Sequence, residues 1–511
     1  MKLRLARNAW SNLLGAAVPA LVMLCTVPLV VRGLGEAGYG VYSLVTAIVG
    51  YFAVMDINLT AGSVKYIAQY RANGEADRIA ETVSFGLATY AGIGLAGALG
   101  ICVCAAWLVE SVFAVPPALR QEATSTLQLA ALAFLCGQLQ MYLNSVPQAL
   151  LRYDISSRLE IMFGTLLPLA TVGVLALGHG LFEVVLLRVL ASSLHGLLLW
   201  RAIRRLLPGW RWRWPAGGAR AALLRFSGWS FLSRFAALSY AHADKLVIGA
   251  LVGVAGLAYF AVAATLANRV LGLSFRLSAV LFPAASALAA RGELARLDAL
   301  YLKATRYVAY LNGAILVLVA VFAYPLLGYW MNAAFAQHGA TILALMACSQ
   351  FVDSLTSLPS LVNDGMGHPR ISGLFAVARA LIGLGAVTAG VALRGIDGAA
   401  WGHLAVSLVF STAFLVYVHG RTVPTSLRRL LVRGYLTGLA GIALAASAAG
   451  AAASVLGQTL HASLGIFLAT LAATGGLLVL HGALFVIERD DREHAWMRFK
   501  TRCQLAWARA G

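Results

Sequence analysis

Long apolar stretches separated by short polar linkers run along almost the whole chain. A helix crosses the hydrocarbon core of a bilayer with about 20 mainly apolar residues, and the pattern predicts about fourteen such spans. The sequence therefore predicts an all-α polytopic membrane protein. The spans lie near residues 10–31, 39–61, 82–109, 124–150, 159–178, 181–201, 226–251, 255–284, 304–328, 338–362, 372–393, 397–419, 434–456 and 462–487.

Composition and charge support the same class of protein. The 511 residues are 60% hydrophobic and 12% charged, whereas a soluble domain has about 25% charged residues. The net charge of +19 resides mostly in alternate linkers, which is the distribution that the positive-inside rule describes. We therefore expect a multi-pass protein with both termini in the cytoplasm, and no nucleic-acid partner.

The chain also repeats itself at one offset. Gly35 matches Gly253, since 253 − 35 = 218, and the same offset relates four pairs of positions in corresponding linkers. This predicts two six-helix lobes related by a parallel repeat, a common transporter plan, plus two appended helices. The predicted parts are an N-lobe (1–205), a basic linker (206–225), a C-lobe (226–420), two appended spans (434–487) and an amphipathic tail (488–511). The other three pairs of positions that keep the offset of 218 are Gly74 with Gly292, Arg152 with Arg370, and Gly180 with Gly398.

Positively charged residues lie inside the predicted spans of the second half. Arg269 and Arg276 are seven residues apart on one face of a helix, and a cation at the centre of a span costs roughly 2.5–3.5 kcal/mol. Such a surplus calls for an anion, and the guanidinium fork of arginine suits phosphate. The predicted anion site comprises Arg269, Arg276, Arg234, Lys245 and Arg379. Pairing with acids or a position near the headgroups is the alternative interpretation.

Polar residues occupy other spans as well. Gln140, Asn144 and Gln148 recur every four residues and form a stripe on one helix face. Acidic groups lie within or near spans at Asp56, Asp244 and Asp353. The spacing of His and Cys residues matches no metal-site motif, and we expect neither a metal nor a cofactor. The segment 210–214, Trp-Arg-Trp-Arg-Trp, predicts an interfacial anchor or a dock for anionic lipid.

Several stretches together resemble a known family. They are VPLVVRGLGEAGYGVYSLV, MDINLTAGSVKYIAQYRANGE, HADKLVIGALVGVAGLAYFAVA, GMGHPR and GIDGAAWGHLAVSLV. The chain resembles the polysaccharide transporter branch of the multidrug/oligosaccharidyl-lipid/polysaccharide exporter superfamily, which includes the O-antigen flippases. The resemblance implies two lobes around a central cavity, alternating access, and a polyprenyl-pyrophosphate-linked oligosaccharide carried across the bacterial inner membrane.

The leading hypothesis is thus a flippase without covalent chemistry. The cations would bind the pyrophosphate, the Gln140 stripe would face the sugars, and Asp56, Asp244 or Asp353 would couple transport to an ion. Expected partners are the lipid-linked oligosaccharide, membrane lipids and polysaccharide polymerase or ligase enzymes, and we expect a monomer. Three alternatives stay open: a multidrug cation exporter, which needs an acidic cavity; a membrane glycosyltransferase or polymerase, which usually needs a large outside loop; and a scaffold for polysaccharide enzymes.

Overall fold

The computed structural model describes residues 2–53, 59–214, 242–278, 285–286, 288–289, 291–456 and 463–493, and nearly all of them are helical. Short turns join the helices. In chain order these are α1 (Lys2–Phe52), α2 (Leu59–Ala72), α3 (Ala76–Trp107), α4 (Pro117–Ala149), α5 (Tyr153–Ala176), α6 (Leu181–Leu206), α7 (242–251), α8 (Val254–Ser278), α9 (Leu294–Val321), α10 (Ala323–Trp330), α11 (Ala333–Ser354), α12 (Ser357–Gly365), α13 (Pro369–Arg421), α14 (Thr437–Leu456) and α15 (Leu464–His481).

The longest helix, α13, is a hairpin of two spans. A straight helix of 53 residues would be about 80 Å long, far more than the hydrocarbon thickness of about 30 Å. The backbone leaves helical geometry at Arg394 and Gly395. The chain then folds back, because a Cβ placed on Gly390 would lie 2.1 Å from the carbonyl oxygen of Gly398. The predicted spans 372–393 and 397–419 are the two arms of this hairpin.

The first helix contains a similar interruption. Predicted spans 10–31 and 39–61 lie on α1 and beyond it, and the chain between them stays helical except at Gly35. Gly35 has φ of 72°, a left-handed conformation that residues with a Cβ avoid. A linker was predicted here, whereas in the structure the chain stays helical and changes direction at one glycine.

The fold is that of a multi-pass membrane protein. Within the described residues, ten helical ranges are long and apolar enough to span a bilayer, and the α13 hairpin is counted as one of them. The predicted span at 226–251 lies largely outside the described residues. The total of fourteen spans therefore stays a prediction.

The described chain forms two compact units. The first comprises residues 1–262 and 373–406, and the second comprises residues 263–372 and 407–511. Within the first unit, α4 packs against α3 and α6, and α1 packs against α5. Within the second, α9 packs against α11 and α14. The predicted lobe boundaries at 1–205 and 226–420 stay a prediction.

Local geometry supports the internal duplication. Gly74 and Gly292 have φ of 75° and 71°, and their N–H groups donate to carbonyl oxygens three residues earlier, at 3.2 and 3.0 Å. Each glycine is followed by a glutamate that pairs with an arginine three residues on, at 3.0 and 3.1 Å. These equivalent turns keep the offset of 218. The parallel two-lobe arrangement itself stays a prediction.

A second pair of turns also has matching geometry. The N–H of Arg152 donates to Pro147, and the N–H of His368 donates to Asn363 in the same way. The preceding residues, Leu151 and Gly367, both have positive φ. These two turns lie at an offset of 368 − 152 = 216. The predicted match of Arg152 with Arg370 at an offset of 218 stays a prediction.

The appended helices pack on α9 through one tyrosine. The Tyr310 hydroxyl donates to the Leu478 carbonyl oxygen at 2.6 Å, and His481 Nδ1 lies 3.2 Å from the same hydroxyl. Gly441 on α14 leaves the space that His481 occupies, since a Cβ there would lie 2.2 Å from its ring. The polar groups of Tyr310 on α9 and His481 on α15 are thus hydrogen-bonded inside the helix bundle, as an apolar environment requires.

Candidate functional site

The predicted anion-binding residues lie in both units. Lys245 on α7 and Arg379 on α13 are half-buried in the first unit, whereas Arg269 on α8 is exposed in the second. Arg276 continues α8 in a part whose side chains lie outside the description, and Arg234 lies outside the described residues. The grouping of these five residues around one anion therefore stays a prediction.

Asp244 has a partner that the sequence analysis did not assign. His403 Nε2 on the second arm of α13 lies 3.3 Å from Asp244 Oδ2, and both side chains are buried. The backbone N–H of Lys245 donates to Asp244 Oδ1 at 2.7 Å. Phe260 stacks on the imidazole with ring centroids 6.0 Å apart. The charged position on α7 is thus one half of a buried acid–imidazole pair.

This pair lines a small cleft in the first unit. The rest of the lining is apolar or small, from Ala243 on α7 and from the first arm of α13. A cleft beside a buried carboxylate is a candidate site. The lining residues are Ala243, Asp244, Ala380, Gly383, Leu384, Val387 and His403.

Asp353 belongs to a separate polar seam in the second unit. It is buried on α11, and Ser411 Oγ on α13 lies 3.4 Å from its Oδ1. One turn earlier, the hydroxyls of Ser349 and Ser407 lie 2.8 Å apart. Two pairs of polar residues with a spacing of four therefore meet along two helices. The spacing of four between Ser407 and Ser411 could have indicated this row of polar contacts, but these serines were not among the predicted residues.

The seam continues to the helix that carries Arg269. Gln350 Nε2 donates to Asn268 Oδ1 on α8 at 2.6 Å. Gln350 is buried, and its Oε1 has no hydrogen-bond partner. Asn268 is exposed beside Arg269. In the second unit, α8 therefore has an exposed polar and cationic stretch at Asn268 and Arg269, and the buried Gln350 side chain holds Asn268 by a hydrogen bond.

The predicted sugar-facing stripe on α4 has its own partners. Gln140 Nε2 lies 2.9 Å from His195 Nδ1 on α6, and Phe163 of α5 stacks on that imidazole with centroids 4.5 Å apart. Asn144 Nδ2 donates to Glu160 Oε1 at 2.7 Å. These contacts bring Gln140 and Asn144 together with two groups that the sequence analysis did not include, His195 and Glu160. A role in sugar binding stays a prediction.

Gln148, the third residue of the stripe, lies where α4 ends. Gln148 is half-buried in the last turn of α4, and its carbonyl oxygen accepts a hydrogen bond from the Leu151 N–H at 2.9 Å. This bond belongs to the turn into α5. Among the coupling candidates, Asp56 lies outside the described residues. Asp244 and Asp353 lie in different units.

The Trp-Arg-Trp-Arg-Trp segment packs on the start of α3. Trp210 Nε1 donates to the Ala80 carbonyl oxygen at 3.4 Å, and its ring lies edge-on to Trp200 with centroids 5.3 Å apart. Arg213 pairs with Asp77 at 2.6 Å. Trp212 stays exposed. Trp210 is half-buried against the core of the first unit, and the lipid contact of the segment stays a prediction.

A second cluster holds the chain after α15 against α9. Lys303 Nζ lies 2.7 Å from Asp491 and 3.1 Å from Glu488, and Arg306 pairs with Glu488 as well. The Tyr307 hydroxyl donates to Asp491 Oδ2 at 2.7 Å. The hydrogen bond between the Lys303 ammonium and Asp491 raises the pKa of that ammonium. The rest of the predicted amphipathic tail, from residue 494, lies outside the described residues.

The chain is similar to curated membrane proteins over parts of their lengths. It is 39% identical over 67 residues to a protein of Shigella flexneri named a putative O-antigen transporter, covering 13% of this chain and 16% of that one. It is 20% identical over 336 residues to the uncharacterized membrane protein EpsK of Bacillus subtilis strain 168, covering 64% of this chain and 66% of that protein. The matches thus span less than two thirds of either relative.

Solved structures show the same fold. A lipid II flippase, MurJ, in an inward closed conformation has a TM-score of 0.65 at 11% identity, covering 91% of this chain and 98% of that one. An inward-facing multidrug resistance MATE transporter of the MOP superfamily has a TM-score of 0.64 at 15% identity, covering 82% and 98%. The chain therefore shares its overall fold with these two structures.

The family model of polysaccharide biosynthesis proteins matches residues 29–339. This range holds the second part of α1, all of α2 to α10 and the start of α11, and it covers more than half of the chain. The match therefore includes Asp244, Lys245 and Arg269, although not the second arm of α13. The chain belongs to the polysaccharide biosynthesis protein family.

Proposed function

We propose that this protein is a flippase that carries a polyprenyl-pyrophosphate-linked oligosaccharide, the repeat unit of an O-antigen or exopolysaccharide, across the bacterial inner membrane by alternating access. The single observation that carries the proposal is the family match over residues 29–339. The fold shared with a lipid II flippase and a MATE transporter, and the relative named as an O-antigen transporter, agree with it. The protein performs no covalent chemistry in this proposal.

The embedded cations supply the anion-binding part. Arg269 and Arg276 share one face of α8, and Arg269 is exposed although it lies in an apolar helix. A pyrophosphate offers several oxygens to a guanidinium fork, and such charge-assisted hydrogen bonds are the strong ones. Arg234, Lys245 and Arg379 complete the proposed group. The headgroup offsets the cost of holding these charges at bilayer depth.

Sugars and the driving ion use other groups. Gln140, Asn144 and Gln148 face the oligosaccharide in this proposal, since amides donate to and accept from hydroxyl groups. Asp56, Asp244 and Asp353 are the residues through which an ion gradient drives the cycle. The protein acts as a monomer with both termini in the cytoplasm, and polysaccharide polymerase or ligase enzymes receive its product.

The test is transport by reconstituted protein. Proteoliposomes contain a fluorescent polyprenyl-pyrophosphate oligosaccharide, and a membrane-impermeant quencher reports its movement between leaflets. Substitution of Arg269 and Arg276 by alanine should lower the initial rate at least tenfold, because two charge-assisted contacts of about 1.5–3 kcal/mol each are lost. Substituting Arg291 and Arg296, which removes the same charge from exposed positions before and in the first turn of α9, should leave the rate unchanged.

Three results would contradict the proposal. An unchanged rate in the Arg269 and Arg276 double variant would refute the anion site. Wild-type protein that moves an organic cation and leaves the labelled lipid in place would establish the exporter alternative. Release of a covalently altered sugar would instead establish the enzyme alternative.

A further inference from the structure

A row of indole rings begins in the last turns of α6 and continues along the Trp-Arg-Trp-Arg-Trp segment. Trp210 lies edge-on to Trp200 and to Trp212, with ring centroids 5.3 and 6.2 Å apart. Trp214 lies edge-on to Phe85 of α3, with centroids 5.9 Å apart. Trp210 is half-buried, whereas Trp212 and Trp214 are 56% and 53% exposed. The row therefore ends in two indole rings on the surface of the first unit.

Contacts with the start of α3 hold this segment in place. Trp210 Nε1 donates to the Ala80 carbonyl oxygen at 3.4 Å, and the backbone N–H of Arg213 donates to Ser84 Oγ at 3.2 Å. The Arg213 guanidinium pairs with Asp77 at 2.6 Å. The segment is therefore a preformed surface, and a preformed surface loses less conformational freedom when a ligand binds.

Four exposed arginines accompany the exposed rings. Arg201, Arg204 and Arg205 share one face at the end of α6, and Arg211 lies within the segment. The Arg204 guanidinium lies 6.0 Å from the centre of the Trp200 ring, which joins this group to the row of indoles. Among the residues that the structure describes, no acid forms an ion pair with any of the four. Their positive charge is therefore available to an anionic partner.

The sequence around the segment has charge of one sign only. Between Glu183 and Asp244 the chain has nine arginines, no lysine and no acidic residue. A guanidinium binds two phosphate oxygens through its planar fork and stacks on aromatic rings, whereas an ammonium acts as a point charge. The exclusive use of arginine therefore favours a partner that carries phosphate.

We propose that these rings and arginines form a binding site for the phosphate headgroups of anionic phospholipids. Indole rings concentrate at the headgroup depth of bilayers, and each basic residue near an anionic leaflet strengthens binding about fivefold. The partner is the phospholipid of the bilayer itself, because two exposed indoles need a lasting apolar cover and a transported lipid would have to leave. The site does not depend on the proposed flippase function.

Brominated lipids test which headgroup lies beside the rings, because bromine on an acyl chain quenches the fluorescence of a nearby tryptophan. Full-length protein in phosphatidylcholine nanodiscs is titrated with brominated phosphatidylglycerol or brominated phosphatidylcholine. In the wild type, the anionic lipid should reach half of its quenching at a mole fraction at least tenfold lower, since several arginines contribute about fivefold each. A variant with both Trp212→Phe and Trp214→Phe should lose this component of the quenching.

Substitution of the arginines tests the contribution of charge. A triple variant, Arg204→Gln, Arg205→Gln and Arg211→Gln, should raise the half-quenching mole fraction of phosphatidylglycerol at least tenfold, because three contributions of about fivefold are lost. The quenching by brominated phosphatidylcholine should stay the same. The matched control removes three exposed arginines from the second unit and should titrate as the wild type does. Its substitutions are Arg296→Gln, Arg370→Gln and Arg428→Gln.

Three outcomes would overturn the lipid site. Equal quenching of the wild type by the two brominated lipids would show that the rings are a neutral interfacial anchor. A triple variant that titrates as the wild type does would remove the arginines from the site. Displacement of the brominated anionic lipid by soluble pyrophosphate, but not by sulfate at equal ionic strength, would assign the arginines to a pyrophosphate ligand instead of the bilayer.

Discussion

The two arms of α13 meet at a pair of glycines, and a single methyl group should drive them apart. A Cβ on Gly390 would lie 2.1 Å from the carbonyl oxygen of Gly398, and a Cβ on Gly398 would lie 1.8 Å from that of Gly390. A relaxed carbon–oxygen contact is about 3.3 Å. The arms would have to separate by roughly 1 Å, because backbone atoms cannot rotate away as a side chain can.

The magnitude follows from two opposing contributions. Overpacking costs about 1–3 kcal/mol or more, and a rigid backbone neighbour places Gly390→Ala near the upper end. Replacing a helical glycine by alanine gains about 1 kcal/mol from helix propensity. We therefore expect a net loss of about 2 kcal/mol in the free energy of unfolding. Gly385 is the matched control, since it lies on the same arm and a methyl group added there would have no atom within 4 Å.

The measurement is thermal unfolding of purified protein in detergent, followed by tryptophan fluorescence. Gly390→Ala should melt below the wild type, and Gly385→Ala should melt at or above it. Size-exclusion chromatography before heating ensures that only monodisperse protein is compared. A Gly390→Ala variant as stable as Gly385→Ala would refute the close contact between the arms. Because His403 lies on the second arm, the same separation should also weaken its pairing with Asp244.

Three further substitutions probe contacts made by charged and aromatic side chains. Asp77→Asn removes the exposed pair with Arg213, which is worth at most about 1 kcal/mol, so trypsin cleavage at the 206–214 segment should rise by no more than about fivefold. Trp210→Ala, which also removes a core contact, should raise trypsin cleavage more than Asp77→Asn does. An equal rise in the two variants would contradict this packing. Lys303→Ala should lower the melting temperature more at low salt than at high salt. The raised pKa of Lys303 means that its contribution is complete below the ordinary lysine pKa of 10.5 and is lost only as the pH rises beyond the folded-state pKa. The loss should therefore be the same at pH 6 and pH 8, and a loss that changes between them would contradict the assignment.

The contacts of the predicted site residues show where sequence reasoning stops. Gln140 and Asn144 were predicted to share one face of a helix, and on α4 they do. Their partners His195 and Glu160 come from α6 and α5, and no local pattern indicates which helix lies beside α4. Asp244 was predicted as a coupling residue, but nothing near it in sequence indicated His403.

The run lengths of apolar residues predicted an all-helical, multi-pass membrane protein, and the distribution of arginine and lysine predicted which linkers lie in the cytoplasm. Both properties are local, because each residue's transfer into hydrocarbon contributes separately to the stability of a span. Tertiary structure decided that one glycine bends α1, that α13 is a hairpin closed on Gly390 and Gly398, and that Asp244 meets His403. These features depend on which helix surfaces face each other, and packing selects among many pairings that apolar helices of similar composition would otherwise allow.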